Sequence, residues 1–159
     1  MILEKLFSVK DKLVLVTGGS RGIGEMIAEG FVANGARVYI SSRKEQELKS
    51  TADRLKNSYN GHCEGIQCDI SNIDGIKKLF QEYNKKESSL DILVNNAGAA
   101  WTEPLEDFSE QGWDKVMDLN VKSIFFMIQK FLPLLKINAS NSCKTKVINI
   151  GSIDGINTP

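Results

Sequence analysis

Histidine is nearly absent: His62 is the single imidazole in 159 residues. That excludes a metal centre built on several histidines, and His62 itself reads as an exposed residue near the start of a strand. Cysteine is scarce. Cys63, Cys68 and Cys143 are odd in number and form no CxxC pair, so they read as small apolar fillers in a reducing compartment. There is no excess of charge, because 20 Lys and Arg balance 20 Asp and Glu. Nothing in that balance points to a nucleic-acid or anionic-membrane partner. No apolar run reaches membrane-spanning length, and residues 1–12 lack the apolar stretch of a secretory signal. A soluble, cytoplasmic protein is the expectation. No internal repeat or low-complexity segment breaks the chain.

What is present is an ordinary globular balance, 42% hydrophobic and 25% charged. The length fits one domain with a core of its own. Short apolar runs alternate with longer amphipathic stretches. Residues 13–17 (LVLVT), 37–41, 64–68, 91–94 and 146–150 read as strands. The first helix carries Ile23, Met26, Ile27, Phe31 and Val32 at helical spacing and closes at Asn34-Gly35. Residues 44–56 and the stretch from Ile73 to Tyr83 read as the next helices. A loop over 95–108 leads into a long helix, 110–135. Its inner side carries Trp113, Val116, Met117, Asn120, Ile124, Met127, Ile128 and Phe131, and Pro133 should kink or end it. Residues 137–145 read as a polar surface loop. Five strands alternating with helices predict an α/β fold, a Rossmann-type doubly wound parallel sheet that stops after the fifth strand. Ligands of such sheets bind at the carboxyl ends of the strands.

The strand ends carry the chemistry. After the first strand come Gly18, Ser20, Arg21, Gly22, Ile23 and Gly24 in a GxxxGxG spacing. A pyrophosphate needs backbone N–H groups at close range and a helix N-terminus aimed at it. Glycines permit that approach, although a glycine cluster alone is also compatible with a simple turn. After the second strand, Ser42 stands where an acidic residue would bind a ribose 2′-hydroxyl. Arg43 follows, and Arg21 is within reach of the same place. Two guanidiniums suit a 2′-phosphate and point to NADP(H) rather than NAD(H). Both would otherwise be ordinary solvated arginines. Asp69-Ile70 follows the third strand and Asn95-Asn96-Ala97-Gly98 the fourth, a segment that a plain turn would equally explain. Ser152 follows the fifth and either bonds a substrate carbonyl or shapes the turn. Asn120, on the inner face of the long helix, needs partners of its own: a water in a helix kink, or a water-linked proton path.

In this order the TGGSRGIG loop (17–24), Asp69, NNAG (95–98), Asn120 within LNVKS and Ser152 within INIGSIDG resemble the short-chain dehydrogenase/reductase family, with a β-ketoacyl-reductase-like texture. The resemblance covers essentially the whole chain. It implies an oxidoreductase moving a hydride between NADP(H) and a carbonyl or alcohol substrate, of the 3-oxoacyl or a related ketone class. It implies that Gly18, Ser20, Arg21, Gly22, Ile23 and Gly24 hold the phosphates, with Arg43 adding NADP preference. Asp69 and Ile70 would meet the adenine, and Asn96, Ala97 and Gly98 the ribose. Ser152 would orient the substrate and Asn120 support a proton relay. It also implies a homodimer or homotetramer.

The family's chemistry further requires a YxxxK motif downstream of that serine. Tyr39, Tyr59 and Tyr83 all precede it and none begins such a motif. Residues 1–159 are therefore expected to be an NADP(H)-binding domain that lacks the YxxxK and substrate-binding part, catalytically incomplete and prone to association along its last strand. Two alternatives stand beside this reading. One is a non-catalytic nucleotide-binding or regulatory protein; the other is a chain completed by a second polypeptide.

Overall fold

The computed structural model describes residues 7–140 and 144–156. Cys143, residues 1–6 of the N-terminal segment and the terminal 157–159 lie outside the described residues. The strands are β1 (Leu13–Thr17), β2 (Arg37–Ser42), β3 (His62–Gln67), β4 (Ile92–Asn95) and β5 (Lys146–Asn149). The helices are α1 (Gly22–Ala33), α2 (Glu45–Tyr59), α3 (Ile73–Asn84), α4 (Glu110–Met117) and α5 (Ser123–Ile137). Single 3₁₀ turns occur at Leu105–Asp107 and Ile153–Gly155.

All strand pairs are parallel and the sheet order is β3-β2-β1-β4-β5. The chain winds outward from β1 through β2 to β3, then returns to the other side of β1 for β4 and β5. The reversal lies between β1 and β4, and a crevice opens there at the strands' carboxyl ends. Alternation along β1 splits the core between the two faces of the sheet. Val14 and Val16 pack with Ala28, Val32, Leu48 and Leu55 of α1 and α2. Leu15 packs with Leu79, Tyr83, Met127 and Phe131 of α3 and α5. At the entrance to β1 and β4, the buried Asp91 carboxylate accepts from the Leu13 N–H at 2.9 Å and from Asn138 Nδ2 at 3.3 Å.

The doubly wound parallel architecture is the one expected from the sequence, with differences of detail. β3 begins at His62, two residues early, because its register against β2 pairs Arg37 with His62 through Ser42 with Gln67. His62 is half-buried rather than exposed; its Nε2 lies 3.1 Å from Glu64 Oε1 and its ring stacks at a tilt on Tyr39. In α1 the residues turned to the sheet are Gly24, Ala28 and Val32, whereas Ile23 and Met26 are 63% and 70% exposed. Of the five apolar residues spaced along this helix, Val32 is buried and Ile27 and Phe31 pack against the core, while Ile23 and Met26 turn outward because Gly24 and Ala28 make the close approach to the sheet.

The stretch read as one long helix is three pieces. Between α4 and α5, residues Asp118–Lys122 adopt a π-helical turn. The extra residue in such a turn rotates the helix beyond it, and Trp113 ends up exposed although Met127 and Phe131 are buried. Pro133 does not end the helix, which runs to Ile137. Pro133 and Gln129, one turn earlier, both face solvent, so water can satisfy the carbonyl that proline leaves without a donor.

Candidate nucleotide site

Thr17 ends β1 and is buried. Its hydroxyl oxygen accepts from the N–H groups of Asn96 and Ala97, each at 3.0 Å, across the β1–β4 reversal. Asn96 replies through Nδ2, which donates to the carbonyls of Thr17 at 3.0 Å and Gly18 at 3.3 Å. The two strand ends at the switch point are thus tied by side chain and backbone together. Gly18 at φ +65° and Gly22 at φ +58° turn the chain through the left-handed region into α1. A Cβ on Gly24 would stand 2.3 Å from the Gly18 carbonyl oxygen, so only glycine lets α1 approach this closely.

Arg21 occupies the N-cap of α1 in extended conformation, and no side chain caps the helix. By contrast Asn72 caps α3 and Ser109 caps α4. A Cβ on Gly22 would meet nothing within 4 Å. The first amides of α1 therefore face open space beside a turn that brings backbone to the surface, an arrangement suited to an anionic group.

A cleft at the strand ends is lined by Gly18, Ser20, Arg21, Ser41, Ser42, Arg43, Cys68, Asp69, Ile70, Asn96, Ala97, Gly98 and Leu119. Nine of the twelve residues expected to meet a cofactor are in that lining. Gly22, Ile23 and Gly24 are not, because they form the turn and helix start next to it. Ser20 Oγ donates to Ser42 Oγ at 3.0 Å. Gln67 Nε2 donates to the Arg43 carbonyl at 3.1 Å. Asp69 Oδ1 accepts from the Ser71 N–H at 3.1 Å. Burial pushes the Cys68 thiol up to about 11, against a hydrogen bond with Ser41, so this cysteine stays protonated beside the cleft.

The two residues assigned to chemistry lie outside the lining. Asn120 sits in the π-helical turn and makes a paired contact with one backbone unit: its Oδ1 accepts from the Ala99 N–H and its Nδ2 donates to the Ala99 carbonyl, both at 2.8 Å. It secures the loop after β4, and neither a water nor a kink is needed to satisfy its side chain. Ser152 is exposed beyond β5, where its hydroxyl accepts from the Asp154 N–H at 3.2 Å. The tyrosines are elsewhere. Tyr39 and Tyr83 are buried with Glu87 near the opposite end of the sheet, and the Tyr59 hydroxyl donates to Glu29.

Sequence reasoning did not find Thr17, Ser41, Cys68 or Leu119. The first three had a usable signal, since each lies at the end of a strand in a doubly wound sheet. Leu119 had none, because its place depends on the π-helical turn.

Residues 12–159 match the family model described as short chain dehydrogenase. The chain is 48% identical over 154 residues to a rhamnolipids biosynthesis 3-oxoacyl-[acyl-carrier-protein] reductase of Pseudomonas aeruginosa, an alignment covering 97% of this chain and 59% of that protein. It is 39% identical over 126 residues to an NAD-dependent glycerol dehydrogenase of Listeria innocua, covering 79% of this chain and 48% of the relative. Among solved structures, an active-site complex of Pseudomonas aeruginosa RhlG with NADP superposes with a TM-score of 0.91 at 48% identity, covering 96% of this chain and 59% of that one. The chain thus spans about half to three-fifths of the length of these relatives. With the model matching from Lys12 onward and the sheet order, glycine turn and strand-end cleft all in place, the chain belongs to the short-chain dehydrogenase family.

Proposed function

We propose that the cleft binds NADP(H), and that the protein to which this domain belongs transfers a hydride between NADP(H) and a carbonyl or alcohol substrate of the 3-oxoacyl or a related ketone class. One observation carries the cofactor assignment. Arg21 and Arg43, from two different elements, line one cleft, while the end of β2 offers Ser41 and Ser42 and no carboxylate. A ribose 2′-hydroxyl would want a carboxylate there, whereas a 2′-phosphate is met by guanidinium groups. The Pseudomonas relative supports the substrate class.

The residues divide the work by position. Gly18, Gly22, Ile23 and Gly24 present the turn and first amides of α1 to the pyrophosphate. Ser20, Arg21 and Arg43 surround the adenosine phosphate. Asp69 and Ile70 bound the adenine side, and Ala97 and Gly98 the ribose side. Asn96 lines the same cleft on the ribose side, and its Nδ2, which donates to the Thr17 and Gly18 carbonyls, also holds the turn. When bound, the cofactor supplies or accepts the hydride. Ser152, with a solvent-facing hydroxyl, is the group offered to a substrate oxygen, and Asn120 fixes the Ala99 backbone on the way there.

Titration with NADPH and NADH tests the assignment. NADPH is expected to bind at least about tenfold tighter, and Arg43→Ala to weaken NADPH by about tenfold with little change for NADH. Equal affinities in the unaltered protein would overturn it. Because none of the three tyrosines lies at the cleft, residues 1–159 alone are expected to bind NADPH without reducing a ketone. Turnover by that polypeptide would contradict the placement of the proton donor outside it.

A further inference from the structure

Thr51 lies inside α2, 8% exposed, and is not part of the cleft lining. A threonine is a poor choice for a helix interior. Its branched side chain lowers helix propensity, and a buried hydroxyl must find a partner. Such a hydroxyl commonly bonds back to its own helix. This one leaves the helix: Oγ1 donates at 2.8 Å to the carbonyl of Ser20, in the glycine turn. Ser20 in turn donates through its hydroxyl to Ser42 at the end of β2. The backbone of the same turn is pinned to β2 by the Gly19 N–H, which donates to the Ser41 carbonyl at 3.2 Å. The residues directly after Ser20 and Ser42 are Arg21 and Arg43.

We propose that Thr51 is a positioning residue for cofactor selectivity: by holding the Ser20 carbonyl it keeps the Ser20–Ser42 bridge closed and fixes the spacing between Arg21 and Arg43. The proposal rests on the reading that the cleft takes NADP(H). Its physical basis is that the two arginines stand on separate elements, 22 positions apart in sequence, so non-covalent ties set their mutual distance. Both side chains are long and exposed. A single phosphate satisfies both guanidiniums only when their backbones stand at the right separation, and each additional freedom costs affinity on binding. The pyrophosphate side does not depend on this latch. There the position of α1 is set by Gly24 against the Gly18 carbonyl, whereas the hydrogen bond of Thr51 goes to the Ser20 carbonyl. Loosening the latch should therefore weaken the cofactor that carries the 2′-phosphate and spare the one that does not.

The experiment compares Thr51→Val, which keeps the shape and removes the hydroxyl, with Thr51→Ser, which keeps the hydroxyl. NADPH and NADH dissociation constants are measured in the purified protein, together with the melting temperature without ligand. Thr51→Val is expected to raise the NADPH constant about tenfold and the NADH constant by less than about twofold, a change of the size of one ordinary hydrogen bond. Thr51→Ser is expected to restore the original ratio. Ser42→Ala, which opens the bridge from the other side and leaves Thr51 in place, should lower the ratio in the same direction and carries the test if Thr51→Val does not fold. An unchanged ratio, equal weakening of both cofactors, or failure of Thr51→Ser to restore it would each overturn the latch. An unaltered protein that binds NADPH and NADH equally overturns the cofactor reading itself. A preference that Thr51→Val leaves undiminished overturns the latch alone.

Discussion

Gly30 and Gly75 both lie inside helices, where replacing glycine by alanine gains about 1 kcal/mol from propensity alone. Their surroundings give the substitution opposite signs. A Cβ on Gly30 meets nothing within 4 Å. Gly30→Ala should therefore stabilise the protein by about 0.5–1 kcal/mol, measured as a higher midpoint in urea. A Cβ on Gly75 would fall 1.6 Å from the carbonyl oxygen of Asp69, which is backbone and cannot swing aside. Gly75→Ala should destabilise by about 2 kcal/mol or more, as overpacking does, and should weaken nucleotide binding because the Asp69 strand end must move. Neutral behaviour at Gly75 would contradict this packing. The sequence shows both as helical glycines and does not distinguish them, since the difference lies in which element sits opposite. Gly18, Gly22 and Gly24 are legible because their spacing at a strand end has a meaning that does not need the partner.

At the scale of elements, α3 is joined to β2 through Glu87, just past the helix end. Its Oε1 accepts from Tyr39 Oη at 2.6 Å and from Arg37 Nη2 at 2.7 Å. Burial pushes the Glu87 carboxyl up, but the hydrogen bonds from Tyr39 and Arg37 outweigh it and leave the group below its usual range. Its folded value is thus lower than its unfolded value, near 4.5. The stability it contributes is present above that unfolded value and is lost as pH falls through the folded one. Glu87→Gln should lower the urea midpoint at neutral pH and flatten its decline on acidification. An acid limb as steep as that of the unaltered protein would show that Glu87 does not drive it. This tie escapes the sequence because it joins residues about 50 positions apart. The π-helical turn at Asp118–Lys122 escapes it for another reason. The apolar spacing of 110–135 fits one continuous helix, and the deviation is stabilised from outside by Asn120 gripping Ala99. Asn120→Ala leaves both polar groups of Ala99 without their side-chain partner. It should cost about 1–3 kcal/mol and speed hydrogen exchange in the loop after β4.

Across the whole molecule, the sheet is unevenly covered. β1, β2 and β4 are buried, while every residue of β5 is exposed, with Val147 and Ile148 at 40% and 39%. Among the described residues β5 pairs with β4 alone, which leaves its other edge without a strand partner there. Phe125, Val121 and Leu132 add exposed apolar surface on the helical segment that packs beside it. The alternation of strands and helices already places the fifth strand at an edge, because each right-handed crossover adds strands outward. How bare that edge would be depends on burial, which only the packed structure shows. Unpaired strand edges and contiguous apolar area both favour association. A polypeptide of residues 1–159 should accordingly form species larger than a monomer in light scattering, increasingly so with concentration. Ile148→Lys places a charge on that strand, where edge strands of soluble proteins commonly carry one. It should shift the distribution toward monomer without altering NADPH affinity, since β5 contributes nothing to the cleft lining. A homodimer or homotetramer formed instead through the long helical segment would resist Ile148→Lys and respond to Phe125→Lys, so the two substitutions distinguish strand-edge association from helix-face assembly.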